Sequence, residues 1–283
     1  MKQPSTEWRE QVAPDEAAHL VRVAKVIGDL QRARSKKFGQ GRALHRKQLL
    51  AATGTLEVFA GLPDHARYGL FATPGRHRAL VRLSNGGPDV QGDRVPDIFI
   101  DFLEAATAGP LPGILHLFTA HGLGGGLSRL RDLFGMLNKK FNGFAAERFN
   151  TVAPICCGPY AVRVRLAPAG NPPPAARSKD IVADMRERLA IGDLTWNLEL
   201  QFFVDEATTP IEDTSVSWPD SETPIVVAAR LTLPRQGVDA AAAEAEAARF
   251  DAWTGLAAHR PLGEVMRARK VAYFESQKGR NAV

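Results

Sequence analysis

Hydrophobic and polar positions alternate with period two in several parts of the chain. The clearest case is 194–204, where every second residue is apolar and Thr195, Asn197, Glu199 and Gln201 stand between. Short apolar runs bounded by Gly and Pro predict further strands at 54–59, 78–84, 97–103, 113–119, 160–166 and 223–233. This number of strands indicates an antiparallel sheet closed into a barrel, which leaves no exposed edge.

Apolar residues at helical spacing predict helices around these strands. The first covers 15–36, where Leu20, Val23 and Ile27 form one stripe and basic residues lie opposite. Such a helix either packs on the core or lies on a membrane surface. Further helices are predicted at 127–141, 178–191, 238–250 and 261–279.

These elements predict one α+β domain, an antiparallel β-barrel with surrounding and C-terminal helices. Residues 1–37 form an N-terminal arm and helix, and residues 38–283 form the barrel domain. The first 14 residues are polar and contain two prolines, which is typical of a flexible arm or of one laid over a neighbouring subunit. A homodimer is therefore one expectation.

Composition indicates an ordinary globular protein, with 45% hydrophobic and 24% charged residues in 283. No apolar run approaches the ~18 residues of a membrane span, and the first ten residues lack the apolar core of a signal peptide. We therefore expect a cytoplasmic protein. The net charge is +5, but the basic residues are scattered, which argues against a nucleic-acid partner. The adjacent Cys156 and Cys157 are either two buried thiols or a redox switch.

Candidate chemistry lies near the end of the chain, in the predicted helix that contains Arg269 and Tyr273. These residues are four apart and so share a face, and Arg280 falls close to the same stripe. A guanidinium one turn away favours the anionic phenolate, a hard oxygen ligand that suits ferric iron. The alternative is a helix whose tyrosine packs and whose arginines are solvated.

A second group of residues occurs earlier, in Gly41-Arg-Ala-Leu-His-Arg-Lys47 and Val81-Arg-Leu-Ser84. Together with Arg269-x-x-x-Tyr273, these motifs resemble the catalase superfamily, in particular the short bacterial catalase-related haem peroxidases. Residues 210–219 and 259–273 also look like that subfamily. The resemblance runs from about residue 38 to residue 280 and rests on three motifs in the expected order.

The resemblance implies a ferric haem b with Tyr273 as the iron ligand and Arg269 beside it to keep it anionic. His45 would be the distal base, since an imidazole with a pKa near ~6.5 can move a proton between peroxide oxygens. Ser84 would hydrogen-bond to that imidazole and fix its tautomer. The remaining arginines of the motifs would bind the haem propionates: Arg42, Arg82 and Arg280.

Three departures from the catalase pattern bear on the activity. Arg46-Lys47-Gln48 stands where catalases carry Ala-Lys-Gly, and Gly122-Leu-Gly-Gly-Gly126 replaces an aromatic pair. Ala120 or His121 stands in place of a distal asparagine that helps to position peroxide. We therefore expect weak catalase activity.

The leading expectation is a peroxidase that takes hydrogen peroxide or an organic peroxide and an unknown small reducing substrate. One alternative is a fatty-acid hydroperoxide-converting enzyme, as in allene oxide synthase relatives. The other is a non-catalytic haem-binding protein, or a degenerate barrel without haem.

Overall fold

The computed structural model describes residues 2–84, 124, 127, 142–174 and 181–280. The α-helices with bounds in these residues are α1 Glu16–Phe38, α2 Ile181–Ile191, α3 Ala242–Ala247 and α4 Glu264–Lys278. The described strands are β1 Gln48–Val58, β2 Gly75–Ser84, β3 Phe149–Asn150, β4 Ile155–Cys157, β5 Tyr160–Pro168, β6 Leu194–Phe202 and β7 Ile225–Leu233.

The described strands form one antiparallel sheet in the order β2-β1-β7-β6-β5-β3, and β4 pairs with β5. Strand β1 can approach β7 closely because it carries Gly54, where a Cβ would lie 2.5 Å from the carbonyl oxygen of Thr232. The predicted strands 97–103 and 113–119 and most of the predicted helix 127–141 lie outside the described residues. The sheet is therefore a curled half-barrel within the described residues, and the predicted closed barrel is not observed there.

One apolar core lies between the sheet and α2. Met185 and Leu189 of α2 are 1% and 0% exposed and pack against Trp196, Leu231 and Leu233. A cavity of about 190 Å³ lies in this core. It reaches β2 at 81–83, and its other lining residues are Phe144, Phe149, Leu166, Met185, Trp196, Leu231 and Leu233.

A second core joins the two helices that come from opposite ends of the chain. Val23, Val26 and Ile27 of α1 are at most 5% exposed and pack against Ala268 of α4. Ala43, in the segment between α1 and β1, is buried in the same cluster. The predicted amphipathic helix is therefore a packing helix, and it holds the segment around residue 43 against α4.

The N-terminal arm makes hydrogen bonds to other parts of its own chain. The backbone N–H of Ser5 donates to the carbonyl of Phe203 at 2.9 Å, and the indole N–H of Trp8 donates to the carbonyl of Pro159 at 2.8 Å. In the part of the chain that is described, no helix combines the length and the apolar character that a bilayer span needs.

Candidate functional site

Arg269 and Tyr273 lie one turn apart on α4 and are in direct contact. Nη2 of Arg269 donates a hydrogen bond of 2.6 Å to the Tyr273 hydroxyl oxygen, and the guanidinium lies 5.3 Å from the centre of the same ring. Both side chains are half-buried. The two predicted residues are therefore brought together, with the Tyr273 oxygen as the hydrogen-bond acceptor and the Arg269 guanidinium as the donor.

Helix α4 is anchored at its first turn by glutamates from three other parts of the chain. Gly263 precedes the helix with φ 84°, and a Cβ there would lie 2.9 Å from the carbonyl oxygen of Ile211, which favours glycine. The backbone N–H of Glu264 donates to Glu212 at 2.6 Å. Arg267 then pairs with several carboxylates at once: Glu10 at 2.8 Å, Glu16 at 2.6 Å and Glu212 at 3.3 Å.

His45 lies in the irregular segment between α1 and β1, opposite the end of β2. Its Nδ1 is 3.4 Å from the Ser84 hydroxyl oxygen, and its carbonyl accepts a hydrogen bond of 3.0 Å from Nη2 of Arg82. Ser84 and Arg82 are two residues apart on β2 and so project from the same face of the strand. Two predicted site residues of one strand therefore position the predicted distal histidine.

The backbone of His45 is in an unusual conformation. Its φ of 47° is the one positive value among the described residues other than glycine. Such a conformation costs a non-glycine residue on the order of 1 kcal/mol or more and persists where surrounding contacts enforce it. Here the contacts from Arg82 and Ser84 do so, which places strain at a predicted functional residue.

The segment that contains His45 is docked on α4 close to Tyr273. The backbone N–H of Ala43 donates to the Ser276 hydroxyl at 3.0 Å, and Ser276 lies three residues after Tyr273. From α1, Gln31 donates to the carbonyl of Gly41 at 2.6 Å, and Arg34 donates to the carbonyl of Ala43. Ser276, Gln31 and Arg34 carry no motif, and sequence reasoning missed them.

Arg42, Arg82 and Arg280 converge on the C-terminal end of α3. Arg42 pairs with one carboxylate oxygen of Glu246 at 2.8 Å, and Arg82 lies 3.5 Å from the other. Arg280, two residues beyond the end of α4, donates to the carbonyls of Glu246 and Ala248, each at 3.1 Å. Arg42 also donates to the carbonyl of Ala248 at 2.9 Å. The three arginines predicted to act together are therefore neighbours.

These contacts explain why α3 is shorter than the predicted helix 238–250. A 3₁₀ turn covers Val238–Ala241, the α-helix ends at Ala247, and Ala248 is extended. The carbonyls of residues 245, 246 and 248 accept hydrogen bonds from guanidinium groups. Arginines thus cap the end of α3, where cations are favoured by the helix dipole.

In the described part of the chain, the three guanidinium groups face one carboxylate, that of Glu246, and these four groups together have a formal charge of +2. Arg249 adds a further positive charge near Arg280. Burial, followed by repulsion from Arg42, lowers the pKa of Arg82 and likewise the pKa of Arg280. Nε of Arg82 is buried without a hydrogen-bond partner among the described residues. An anionic ligand matches this site.

The predicted departures at 46–48 have structural roles. Gln48 donates to the carbonyl of Ala242 at 2.9 Å, at the start of α3, and Arg46 donates to the carbonyl of Phe38 at 3.3 Å, at the end of α1. Ala120, His121 and most of the glycine-rich stretch 122–126 lie outside the described residues.

The two cysteines are both buried and free, and burial raises the pKa of the Cys157 thiol to about 12. A buried, protonated thiol is a poor nucleophile, which favours packing over a redox role.

Comparison with known proteins identifies the fold. No protein-family model and no curated protein matches the chain. A crystal structure of a fungal catalase superposes with a TM-score of 0.64 and 15% identity, over 100% of this chain and 65% of that chain. A bacterial catalase superposes with a TM-score of 0.60 and 13% identity, over 99% of this chain and 63% of that chain. The fold is therefore catalase-like, and the chain spans slightly less than two thirds of the length of either catalase.

Proposed function

We propose, from this catalase-like fold, that the chain is an oxidoreductase that cleaves hydrogen peroxide or an organic peroxide at a ferric haem b. The observation that carries the proposal is the 2.6 Å hydrogen bond from Arg269 to the Tyr273 oxygen. It places a guanidinium donor on a tyrosine oxygen in a fold that both solved catalases share, and tyrosine is the haem ligand of catalase. Tyr273 is the proposed iron ligand.

The arginine cluster fits the other end of this cofactor. Haem b carries two propionates, and Arg42, Arg82 and Arg280 together with Glu246 have a formal charge of +2. Guanidinium groups bind carboxylates by paired, charge-assisted hydrogen bonds. The buried Nε of Arg82 is a donor available for such a bond. Arg42, Arg82 and Arg280 would therefore hold the propionates.

When bound, haem supplies the ferric iron at which the O–O bond of peroxide is broken. His45 would take the proton from one oxygen of the peroxide and deliver it to the other, which would leave as water or, from an organic peroxide, as an alcohol. The Ser84 hydroxyl, 3.4 Å from Nδ1, selects the tautomer in which the ring does this. Proton transfer of this type contributes roughly 10²–10⁴-fold to the rate.

We expect oxidation of a second, small substrate to exceed disproportionation of hydrogen peroxide. The reason is the sequence at Ala120 and His121, which replaces the asparagine that positions peroxide in catalases. The second substrate donates the two electrons that reduce peroxide to water.

Titration with hemin tests the proposal, with Tyr273→Phe as the informative variant. Tyr160→Phe is the matched control, since it removes a hydroxyl at a ring that packs against Phe202. The unaltered protein and the control should bind one hemin with the absorption spectrum of a tyrosinate-ligated ferric haem, and Tyr273→Phe should lose that spectrum. Peroxide is then added while dissolved oxygen and a chromogenic reductant are recorded.

Each outcome of the titration identifies one function. An oxidised reductant without oxygen release identifies a peroxidase, and oxygen release identifies a catalase. Consumption of an organic hydroperoxide without either identifies a rearrangement. Failure of the unaltered protein to bind hemin stoichiometrically would overturn the proposal and favour a degenerate barrel.

A further inference from the structure

The arginine cluster is already engaged by a carboxylate of the chain itself. The two oxygens of Glu246 contact two different arginines, at 2.8 Å to Nη1 of Arg42 and 3.5 Å to Nη2 of Arg82. A ligand carboxylate would make the same kind of two-point contact. No motif marks Glu246, which lies in a helix rich in Ala and Glu.

We propose that Glu246 is an internal competitor of the ligand carboxylates at the arginine cluster, so that its side chain must leave before a dicarboxylate ligand binds fully. This inference rests on the proposed function, because the ligand is the haem whose propionates the cluster would hold. The inference assigns to Glu246 an effect on the affinity of the protein for its cofactor.

Competition follows from the position of the Glu246 carboxylate among the guanidinium groups. Nη2 of Arg42 and both Nη atoms of Arg280 donate to backbone carbonyls, and Nη2 of Arg82 donates to the carbonyls of His45 and Arg46. Nη1 of Arg42 makes no hydrogen bond among the described residues, and Oε1 of Glu246 lies 2.8 Å from it as an ion pair. A ligand carboxylate that binds this nitrogen needs the place that Glu246 occupies.

The surroundings allow Glu246 to move while α3 stays in place. The Glu246 side chain is 45% exposed, whereas those of Arg42 and Arg82 are 12% and 6% exposed. Helix α3 is held independently by Arg78, which donates two hydrogen bonds of 2.7 and 2.6 Å to Glu244. A change of rotamer at Glu246 therefore opens the cluster without detaching the helix.

The test compares the affinity for hemin of the unaltered protein, Glu246→Gln and Glu244→Gln. The two variants remove the same charge from the same helix, but Glu244 pairs with Arg78 and not with the cluster. Glu246→Gln should lower the Kd for hemin about tenfold, the magnitude of one charge-assisted hydrogen bond. Glu244→Gln should leave the Kd within about twofold. Glu246→Asp, whose shorter side chain reaches less far, should lie between.

Hemin dimethyl ester, which has no free carboxylate, tests whether the ligand carboxylates cause the difference in Kd between the two proteins. Its Kd should be the same for the unaltered protein and for Glu246→Gln, because the ester does not compete for the arginine donors. Thermal unfolding of each variant checks that the fold is retained.

Three results would overturn the inference. An equal hemin Kd for the unaltered protein and Glu246→Gln shows that Glu246 does not compete, and a higher Kd for the variant shows that Glu246 orients the arginines for the ligand. In both cases hemin still binds, so the proposed function stands. If neither protein binds hemin stoichiometrically, the proposed function fails and the inference fails with it.

Discussion

The Ser84 hydroxyl oxygen lies 3.4 Å from Nδ1 of His45, across 39 residues of sequence. Strand β2 delivers Ser84 to this place, and Arg82 of the same strand holds the His45 carbonyl at 3.0 Å. One strand thus fixes both the ring and the backbone of the proposed proton-transfer residue. The arrangement leads to separate expectations for the serine and for the histidine.

Ser84→Ala should lower kcat/KM for peroxide cleavage by the hemin-loaded protein about tenfold, the usual effect of losing a residue that orients another functional group. The hemin Kd should not change. Ser84→Thr, which keeps a hydroxyl, should restore most of the activity and the pH profile. A Ser84→Ala protein with an unaltered rate and pH profile would contradict the orienting role.

His45→Ala should leave hemin bound and lower peroxide cleavage by roughly 10²–10⁴-fold, because it removes the group that transfers the proton. His77→Ala is the control, since His77 is an exposed histidine on β2. Stopped-flow mixing with hydrogen peroxide measures both. Equal rates for the two variants would show that His45 has no part in the reaction.

The positive φ of His45 predicts an effect on stability that is independent of catalysis. Glycine adopts φ near 47° without strain, whereas alanine does not. His45→Gly should therefore have a free energy of unfolding about 1 kcal/mol higher than His45→Ala. Urea unfolding of the two variants without hemin measures the difference. A less stable glycine variant would show that the backbone there is relaxed.

Acid should weaken the attachment of the N-terminal arm to α4. Burial alone would raise the pKa of Glu10, but hydrogen bonds from Arg260 and from the N–H of Gly263, with the charge of Arg267, hold it below its ordinary value. A carboxyl with a lowered folded pKa stabilises the fold above its unfolded pKa of ~4.3, and this is lost as the pH falls through the folded pKa.

Glu10→Gln should accordingly lower the free energy of unfolding at pH 7 by about 1–3 kcal/mol. Below about pH 4.3 the difference between the variant and the unaltered protein should shrink, because Glu10 becomes protonated. Urea unfolding over a series of pH values gives both numbers. Glu7→Gln, at an exposed position of the same arm, should be neutral throughout. A difference that grew towards low pH would contradict the assignment.

Period-two and helical patterns predicted much of the described fold from sequence. The alternation at 194–204 corresponds to β6 Leu194–Phe202, and the predicted helix 15–36 corresponds to α1. Strands β3 and β4 were not predicted, because two or three residues are too few to show a period. The predicted helix 238–250 extends three residues beyond the observed end of α3 at Ala247. Arginines distant in sequence bind the carbonyls at this end, and a local pattern does not show them.

The seven predicted site residues remain proposals as to function, but their placement shows what sequence can and cannot give. Arg269 and Tyr273 are in contact because they are four residues apart on a helix, and this spacing can be read from the sequence. The strain at His45 and the carboxylate of Glu246 depend on tertiary contacts, and no local pattern encodes them. Such features become visible only in three dimensions.

Arg267 of α4 pairs with Glu10 and Glu16, which precede it by 257 and 251 residues. During synthesis, α1, Arg42, His45 and Arg82 emerge from the ribosome long before α4 with Tyr273 does. Until α4 has been synthesised, the apolar face of α1 that packs on it stays exposed to solvent. Chaperones can bind such a transiently exposed face. Under the proposed function, haem can be acquired only after the last helix has been synthesised.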